Sequence, residues 1–245
     1  MTVFTLRFEE TLALIGIDRA EARNAVPLAG WRELAVICET ISNRAPDAVL
    51  LRSEAADIFS AGADIGEFPS LRDEPAQRVA FREAMATGIG ALAALPMPVI
   101  AAVDGGCFGA GVALMLGCDI CVAGREARFA TTPARLGLSY PGSDVARLVD
   151  RVGKGFASLM LFTGEAIDAD RAVAAGLADL LAEDAGAAAL ALARTIARND
   201  GGAVAALKAV LRDPLAPGHA SAFDARFGSA GFERRMTEFL ERKRG

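Results

Sequence analysis

Apolar and polar residues alternate over residues 3–8 and again over 11–17, on either side of the polar pair Glu9-Glu10. A period of two flanking a polar turn predicts a β-hairpin. From Pro27 to Asn43 the period changes: Leu28, Leu34, Ile37 and Ile41 fall on one helical face, and Pro46 lies beyond the end. Ala48–Leu51 is a short continuous apolar run, read as a buried strand. The small-residue segment Phe59-Ser60-Ala61-Gly62-Ala63-Asp64-Ile65 follows, then a helical pattern over 75–95 that stops at Pro96.

Pro98–Asp104 reads as a second buried strand, broken by Gly105-Gly106. Gly109–Gly117 has the length and apolar character of a buried helix, and Asp119–Ala123 is the next strand. Pro141–Val152, Gly155–Thr163, Ala169–Ala175, Ala185–Asn199 and Gly201–Leu211 all carry helical patterns. Ser221–Lys243 is expected to be an amphipathic helical segment. Strands and helices alternate through the first 130 residues and helices dominate after that, which predicts an α/β core with a helical C-terminal region. The expected division is a core over 1–190 and a helical region over 191–245.

Composition narrows the class. Of 245 residues, 53% are apolar, ample for a buried core and too many for intrinsic disorder. Yet apolar stretches such as Pro98–Val103 and Ala185–Ala193 are short or alanine-rich, below the roughly 18 residues of a membrane helix. The first eight residues alternate like a strand and lack the layout of a signal peptide. A cytoplasmic protein without membrane contact is the expectation. The net charge of −5 argues against a nucleic-acid partner. Arg19 with Arg23, and Arg242-Lys243-Arg244, are the local basic groups, read as solvated surface charge. Cys118-x-x-Cys121 sits in an apolar strand with no second pair and only one histidine in the chain, so a structural role is expected over metal or redox chemistry.

Two segments carry candidate chemistry. In Ser60-Ala61-Gly62-Ala63-Asp64-Ile65 the small residues let a ligand approach the backbone. In Gly105-Gly106-Cys107-Phe108-Gly109-Ala110-Gly111 a strand gives way to a helix, leaving free N–H groups at the helix start. Two such donors converging on one oxygen form an oxyanion hole, each worth about 10²–10³ in rate where tested. Alone, either segment also fits a plain tight turn. Neither is a P-loop, because no Gly-Lys-Ser/Thr follows, and Gly106-x-x-Gly109 lacks the dinucleotide spacing.

Taken in order, RAEARNA at 19–25, FSAGADI at 59–65, PVIAAVDGGCFGAG at 98–111 and CDICVAG at 118–124 resemble the crotonase (enoyl-CoA hydratase/isomerase) superfamily. The likeness continues through RFATTPARLGLSYPG at 128–142, TGEAIDADRAVAAGLAD at 163–179 and FLERKR at 239–244, covering essentially the whole chain. The resemblance implies a spiral of ββα units with a helical C-terminal trimerisation region, assembled as a homotrimer or homohexamer. It implies an acyl-CoA thioester as substrate, with no separate cofactor, since coenzyme A is part of the substrate, and no metal. The thioester carbonyl would be held by the backbone N–H groups of Ala63 and Ala110. Ala22, Arg23, Ala61, Asp64 and Ile65 match positions that line the coenzyme site, although Asp64 fits a helix cap equally well.

The chain departs from the family in its acid/base groups. The two positions where hydratases carry glutamates match Ala113 and Ala134, beside Pro133, and alanine transfers no proton. Pro141 stands where other members place an aspartate, and Asp144, three residues on, is read either as inward-pointing or as a partner of the helix dipole. Thr132–Tyr140 resembles the malonyl-type acyl-CoA decarboxylases of the superfamily, which makes Tyr140, the only tyrosine, the candidate catalytic side chain, with a packing role as the alternative. Those decarboxylases carry a histidine where this chain has Ala63. Phe81, Met85, Met115 and Leu116 either line an acyl pocket or fill the core. The helix around Trp31–Asn43 contains no lysine, unlike the RNA-binding relatives. A fold that binds acyl-CoA or a partner without turnover is the second expectation.

Overall fold

A computed structural model describes residues 2–243; Met1, Arg244 and Gly245 lie outside the described residues, and with them the last cation of the Arg242-Lys243-Arg244 cluster. Its central sheet has the strand order β1-β2-β3-β5-β7-β10, formed by β1 (Phe4–Glu9), β2 (Leu12–Ile17), β3 (Ala48–Ser53), β5 (Val99–Val103), β7 (Ile120–Gly124) and β10 (Leu180–Ala182). β1 and β2 are the expected antiparallel hairpin, and every later pairing is parallel. A period of two divides the side chains between two cores. Leu12, Leu14, Ala48, Leu50, Ile100, Ala102 and Val122 face one side, and Ala13, Ile15, Val49, Leu51, Val99, Ala101 and Cys121 the other. Strands buried on both faces read as continuous apolar runs, which is why they were visible in the sequence.

On the first side lies α7 (Ala185–Ala197), whose Ala185, Ala189 and Ala193 form a small-residue stripe at i, i+4, i+8 that lets it sit close to the sheet. On the second, α1 (Leu28–Arg44) presents Trp31, Leu34 and Ile41, and α3 (Pro75–Ala94) presents Ile89 and Leu92, all fully buried. α7 runs across residue 190, where the regions were expected to divide, and its buried stripe ties it to the core. The exposed arm begins after it, at α8.

A second sheet has the order β4-β6-β8-β9, from β4 (Ile58–Ser60), β6 (Gly106–Phe108), β8 (Arg128–Ala130) and β9 (Ile167–Asp168). These strands are two or three residues long, too short to show a period, and no periodicity marks them in advance. They complete a repeated unit: β3 then β4 then α2 (Phe68–Asp73) and α3; β5 then β6 then α4 (Ala110–Met115); β7 then β8 then α5 (Gly142–Thr163). Each unit gives one strand to each sheet and then a helix, and the parallel register carries the spiral forward. This is the crotonase-type fold the resemblance implied.

α5 is broken at Gly153, where φ is 73° and ψ 159°, matching the two helical patterns expected on either side. α6 (Ala169–Ala174) leads into β10. Beyond α7 come α8 (Gly201–Arg212), α9 (His219–Arg226) and α10 (Ala230–Arg242), so the expected single C-terminal segment is two helices. Among the described residues no helix is long and apolar enough to cross a membrane.

Candidate functional site

The two glycine-bearing segments meet where β4 and β6 end. Gly62 has φ +97°, and a Cβ there would lie 2.6 Å from the Phe108 carbonyl oxygen and 2.8 Å from the Ala110 nitrogen. Only a glycine lets these two backbones touch. Gly109, at φ 51° and ψ −123°, turns the chain from β6 into α4 through a conformation that L side chains rarely adopt. Ala63 and Ala110 thus come to line one cavity.

Neither N–H is used elsewhere. Val26 donates to Gly62 O at 2.7 Å and receives Asp64 N–H at 3.1 Å, so the intervening Ala63 N–H points away from that pairing. Ala110 is the first residue of α4, where an N–H has no intrahelical acceptor. Among the described residues both remain without a hydrogen-bond partner. Two donors facing one space can hold an oxygen that gains negative charge.

The loop carrying Ala63 is held from behind by Asn24, fully buried although polar. Its Oδ1 accepts Arg19 N–H at 2.9 Å, and its Nδ2 donates to Ser53 Oγ at 2.7 Å and Phe59 O at 3.1 Å. Ser60 Oγ donates to Asn24 O at 2.8 Å and accepts Gly62 N–H at 3.0 Å. Asn24 and Ser60 were missed as site-building residues. The contacts that join them to β4, Asn24 Nδ2 to Phe59 O and Ser60 Oγ to Asn24 O, span 35 and 36 positions, and only the left-handed tolerance of asparagine hinted at the turn.

Asp64 takes the capping role and an ion pair besides. It accepts Gly66 N–H at 2.9 Å and Arg19 Nη1 at 2.6 Å. Burial pushes its carboxyl up, but the Arg19 hydrogen bond, the Gly66 N–H and the Arg19 charge outweigh that and hold it below the ordinary aspartate range.

The cavity is about 190 Å³, with Ala61, Ile65, Phe68, Phe81, Met85, Pro133 and Pro141 among its walls. Its polar groups are Arg82, Thr132, Ser139 and Tyr140, and among the described residues no carboxylate lines it. Ile65, Phe68, Phe81, Leu136 and Leu138 also line an adjoining groove of about 860 Å³. Ile65 is 67% exposed there, an apolar side chain open to solvent at the mouth. Phe81 and Met85 therefore serve the pocket, whereas Met115 is core and Leu116 lies beneath α8.

Ala113 is buried in α4 and Ala134 is exposed on the turn Pro133–Leu136; neither forms the cavity wall. Arg23 borders the site through the backbone, since its O accepts Ala61 N–H at 2.9 Å, while Arg23 also lines a separate polar cleft with Arg52, Arg125 and Arg128; the backbone of Ala22 is bonded within its own turn, to Arg19 O and Ala25 N–H.

Tyr140 lines the cavity, but its hydroxyl donates to Gly109 O at 2.7 Å. The phenol's proton is therefore engaged by a peptide and not free toward a ligand. Burial, with the nearby Asp144 charge, raises its pKa far above the ordinary tyrosine value, so it stays neutral. Asp144 points inward as one expectation had it: it is 1% exposed and accepts Arg147 Nη1 at 3.0 Å. Burial raises its carboxyl against the pull of Arg147 and Ser143. The four cysteines are unpaired and buried, and burial pushes the Cys38 and Cys121 thiols up to about 12, which leaves them protonated and unreactive at neutral pH.

With this geometry in place, similarities to known proteins become informative. A model of the enoyl-CoA hydratase/isomerase family matches residues 7–243. The chain is 33% identical over 219 residues to the protein named probable enoyl-CoA hydratase EchA17 of Mycobacterium bovis, covering 88% of this chain and 83% of that one. It is 34% identical over 216 residues to the 2,3-dehydroadipyl-CoA hydratase of Escherichia coli, covering 83% and 79%. The solved enoyl-CoA hydratase/carnithine racemase from Magnetospirillum magneticum superposes with a TM-score of 0.93 at 30% identity, covering 99% of this chain and 94% of that one.

Proposed function

Because this chain belongs to the enoyl-CoA hydratase/isomerase family, we propose that it binds an acyl-CoA thioester with the carbonyl oxygen between the N–H groups of Ala63 and Ala110, and stabilises the enolate formed there. The observation that carries this is the pair of unpartnered N–H groups lining one cavity. Ala22, Arg23, Ala61, Asp64 and Ile65 would run along the coenzyme, and Phe81, Met85 and Pro133 would enclose a short or medium acyl chain.

The missing carboxylate shapes the chemistry. Hydration by the paired-glutamate route needs a base for water and an acid for carbon, and neither lines this cavity. Decarboxylation of a malonyl-type thioester needs neither. The electrons of the bond to the departing carboxylate pass to the α carbon, carbon dioxide leaves, and the carbonyl oxygen takes the negative charge between the two donors. Water then supplies the proton to carbon. Hydration or isomerisation remains the alternative reaction of the same site, with water or a substrate group in place of the glutamates.

Incubation with crotonyl-CoA and with methylmalonyl-CoA, followed by product mass, tests this directly. Loss of the mass of carbon dioxide from methylmalonyl-CoA supports decarboxylation, and gain of water on crotonyl-CoA supports hydration. The carboxylate-free cavity also favours a second reading, acyl-CoA binding without turnover. Saturable binding of both thioesters with no product would establish it, and no binding of either would refute both readings.

A further inference from the structure

Gly109 O and Ala110 N–H belong to the same peptide unit, and Tyr140 holds its carbonyl end at 2.7 Å. We propose that Tyr140 is a positioning residue for the Ala110 donor: its hydroxyl orients and polarises the peptide whose N–H faces the thioester oxygen. This rests on the enolate-stabilising reading above and says how one half of that device is tuned.

A proton donated to an amide oxygen draws electron density through the C–N bond and leaves the N–H a stronger donor, the cooperative strengthening seen in hydrogen-bonded chains. The other donor has a matching arrangement. Gly62 O accepts Val26 N–H at 2.7 Å, and that peptide's far end is the Ala63 N–H. Both donor peptides are thus gripped by the carbonyl, Gly62 O by backbone and Gly109 O by backbone together with a side chain.

The need for a side chain follows from local geometry. The ladder between β6 and β8 ends where Gly109 N–H donates to Ala130 O at 2.8 Å. The conformation of Gly109 then turns its carbonyl out of the ladder. Among the described residues the one backbone donor it receives is Val112 N–H, at 2.9 Å, from the first turn of α4. The phenol fills the second lone pair from the cavity side, where Tyr140 packs against the core.

The test exploits the single tyrosine: 3-fluorotyrosine supplied during expression enters only at position 140, and its more acidic hydroxyl is the stronger donor. The series Tyr140→Phe, wild type, fluorotyrosine therefore orders donor strength with little change in volume. With carbonyl-¹³C glycine and ¹⁵N alanine, the Gly109–Ala110 resonances should move in that order, and Gly62–Ala63 should stay still. Crotonyl-CoA labelled with ¹³C at the thioester carbonyl should show, when bound, an infrared band that moves to lower frequency in the same order. Tyr140→Phe should lose about 10–30% of the wild-type displacement. On whichever of crotonyl-CoA and methylmalonyl-CoA is turned over, kcat should fall about two- to eightfold at unchanged KM, the same fraction of a donor worth about 10²–10³.

A band that does not respond across the series, while the Gly109–Ala110 resonances do, would overturn the proposal and leave the donors themselves standing. A wild-type band displaced no further than in water would overturn the enolate reading and this inference together. Should the Phe variant fold poorly, the comparison of fluorotyrosine with wild type decides alone.

Discussion

Asn24 shows how much of the site is set by one side chain that never touches the cavity. Three of its hydrogen bonds span residues 19, 53 and 59, and its backbone sits at φ 56°, a left-handed conformation beside a second one at Arg23. Asn24→Ala would strand buried donors and acceptors, at about 1–3 kcal/mol each, and would place alanine in a conformation costing about 1–2 kcal/mol. The expected loss is about 4 kcal/mol or more, read as a lower urea midpoint at constant m-value. A change inside about 0.5 kcal/mol would show that the network is not what holds the loop. Asp144 gives a different prediction, one of sign with pH. Its folded pKa is raised, so it favours folding while neutral, fully below the ordinary value near 3.9, and that contribution is lost as pH rises through the folded value. Asp144→Asn keeps the size and removes the titration, so the Tm of the variant relative to wild type should rise as pH increases above the ordinary aspartate value near 3.9. A Tm difference that is flat or falls with pH would show that Arg147 fully compensates the charge.

At the level of elements, the site depends on two loops touching, and Gly62 is where they touch. Gly62→Ala would drive a Cβ to 2.6 Å and 2.8 Å from backbone atoms at φ +97°, and backbone cannot swing aside as a side-chain tip can. The loop should lift from Gly109–Ala110, separating the two donors while the central sheet stays folded. The expected result is a loss of about 10²–10³ in turnover, the value of one donor, with cooperative unfolding retained. Gly90→Ala, inside α3 with nothing within 4 Å of the new Cβ, is the control and should leave turnover unchanged. Undiminished turnover in Gly62→Ala would remove the contact from the mechanism. The same elements show what was legible in advance. β1 and β2 were readable from alternation about the Glu9-Glu10 turn, β3, β5 and β7 because burial on both faces makes them apolar runs, and α1 and α3 because their buried faces repeat at helical spacing. β4, β6 and β8 were not, since three residues carry no period. Ala63 and Ala110 lie three and two residues beyond those short strands, so they came from the motif resemblance and not from any pattern of the elements that position them. Tyr140 was legible as a cavity residue, but the direction of its hydroxyl was not, because Gly109 lies 31 positions away and its carbonyl turns on an unusual ψ.

The whole molecule poses the question of what covers its C-terminal arm. α8 is tied to the body by Lys208, nearly buried, which donates to Met97 O at 2.9 Å and Asp119 Oδ2 at 2.5 Å. α9 and α10 fold against it through Arg226 with Asp200 and through Arg235 Nη2 donating to Arg198 O at 2.6 Å. Yet no residue of α10 is buried, and Leu211, Phe223, Phe227, Met236, Phe239 and Leu240 all lie open to solvent. Phe223, Phe227 and Phe232 stack edge to face at 5.3 Å and 5.4 Å, building one continuous aromatic surface instead of scattered exposed rings. An apolar patch of this kind is rare on a monomer and characteristic of an interface core, where aromatics concentrate and charge is depleted. We therefore expect a trimer or hexamer, with these helices in the contact between copies, and light scattering at micromolar concentration should give three or six times the 25.4 kDa chain mass. Because Phe223 and Phe239 add nothing to the buried core, Phe223→Asp with Phe239→Asp should dissociate the assembly while leaving the fold of each chain intact by circular dichroism. A wild-type mass near that of one chain would refute the assembly, and an unchanged mass in the double variant would place the contact on another face.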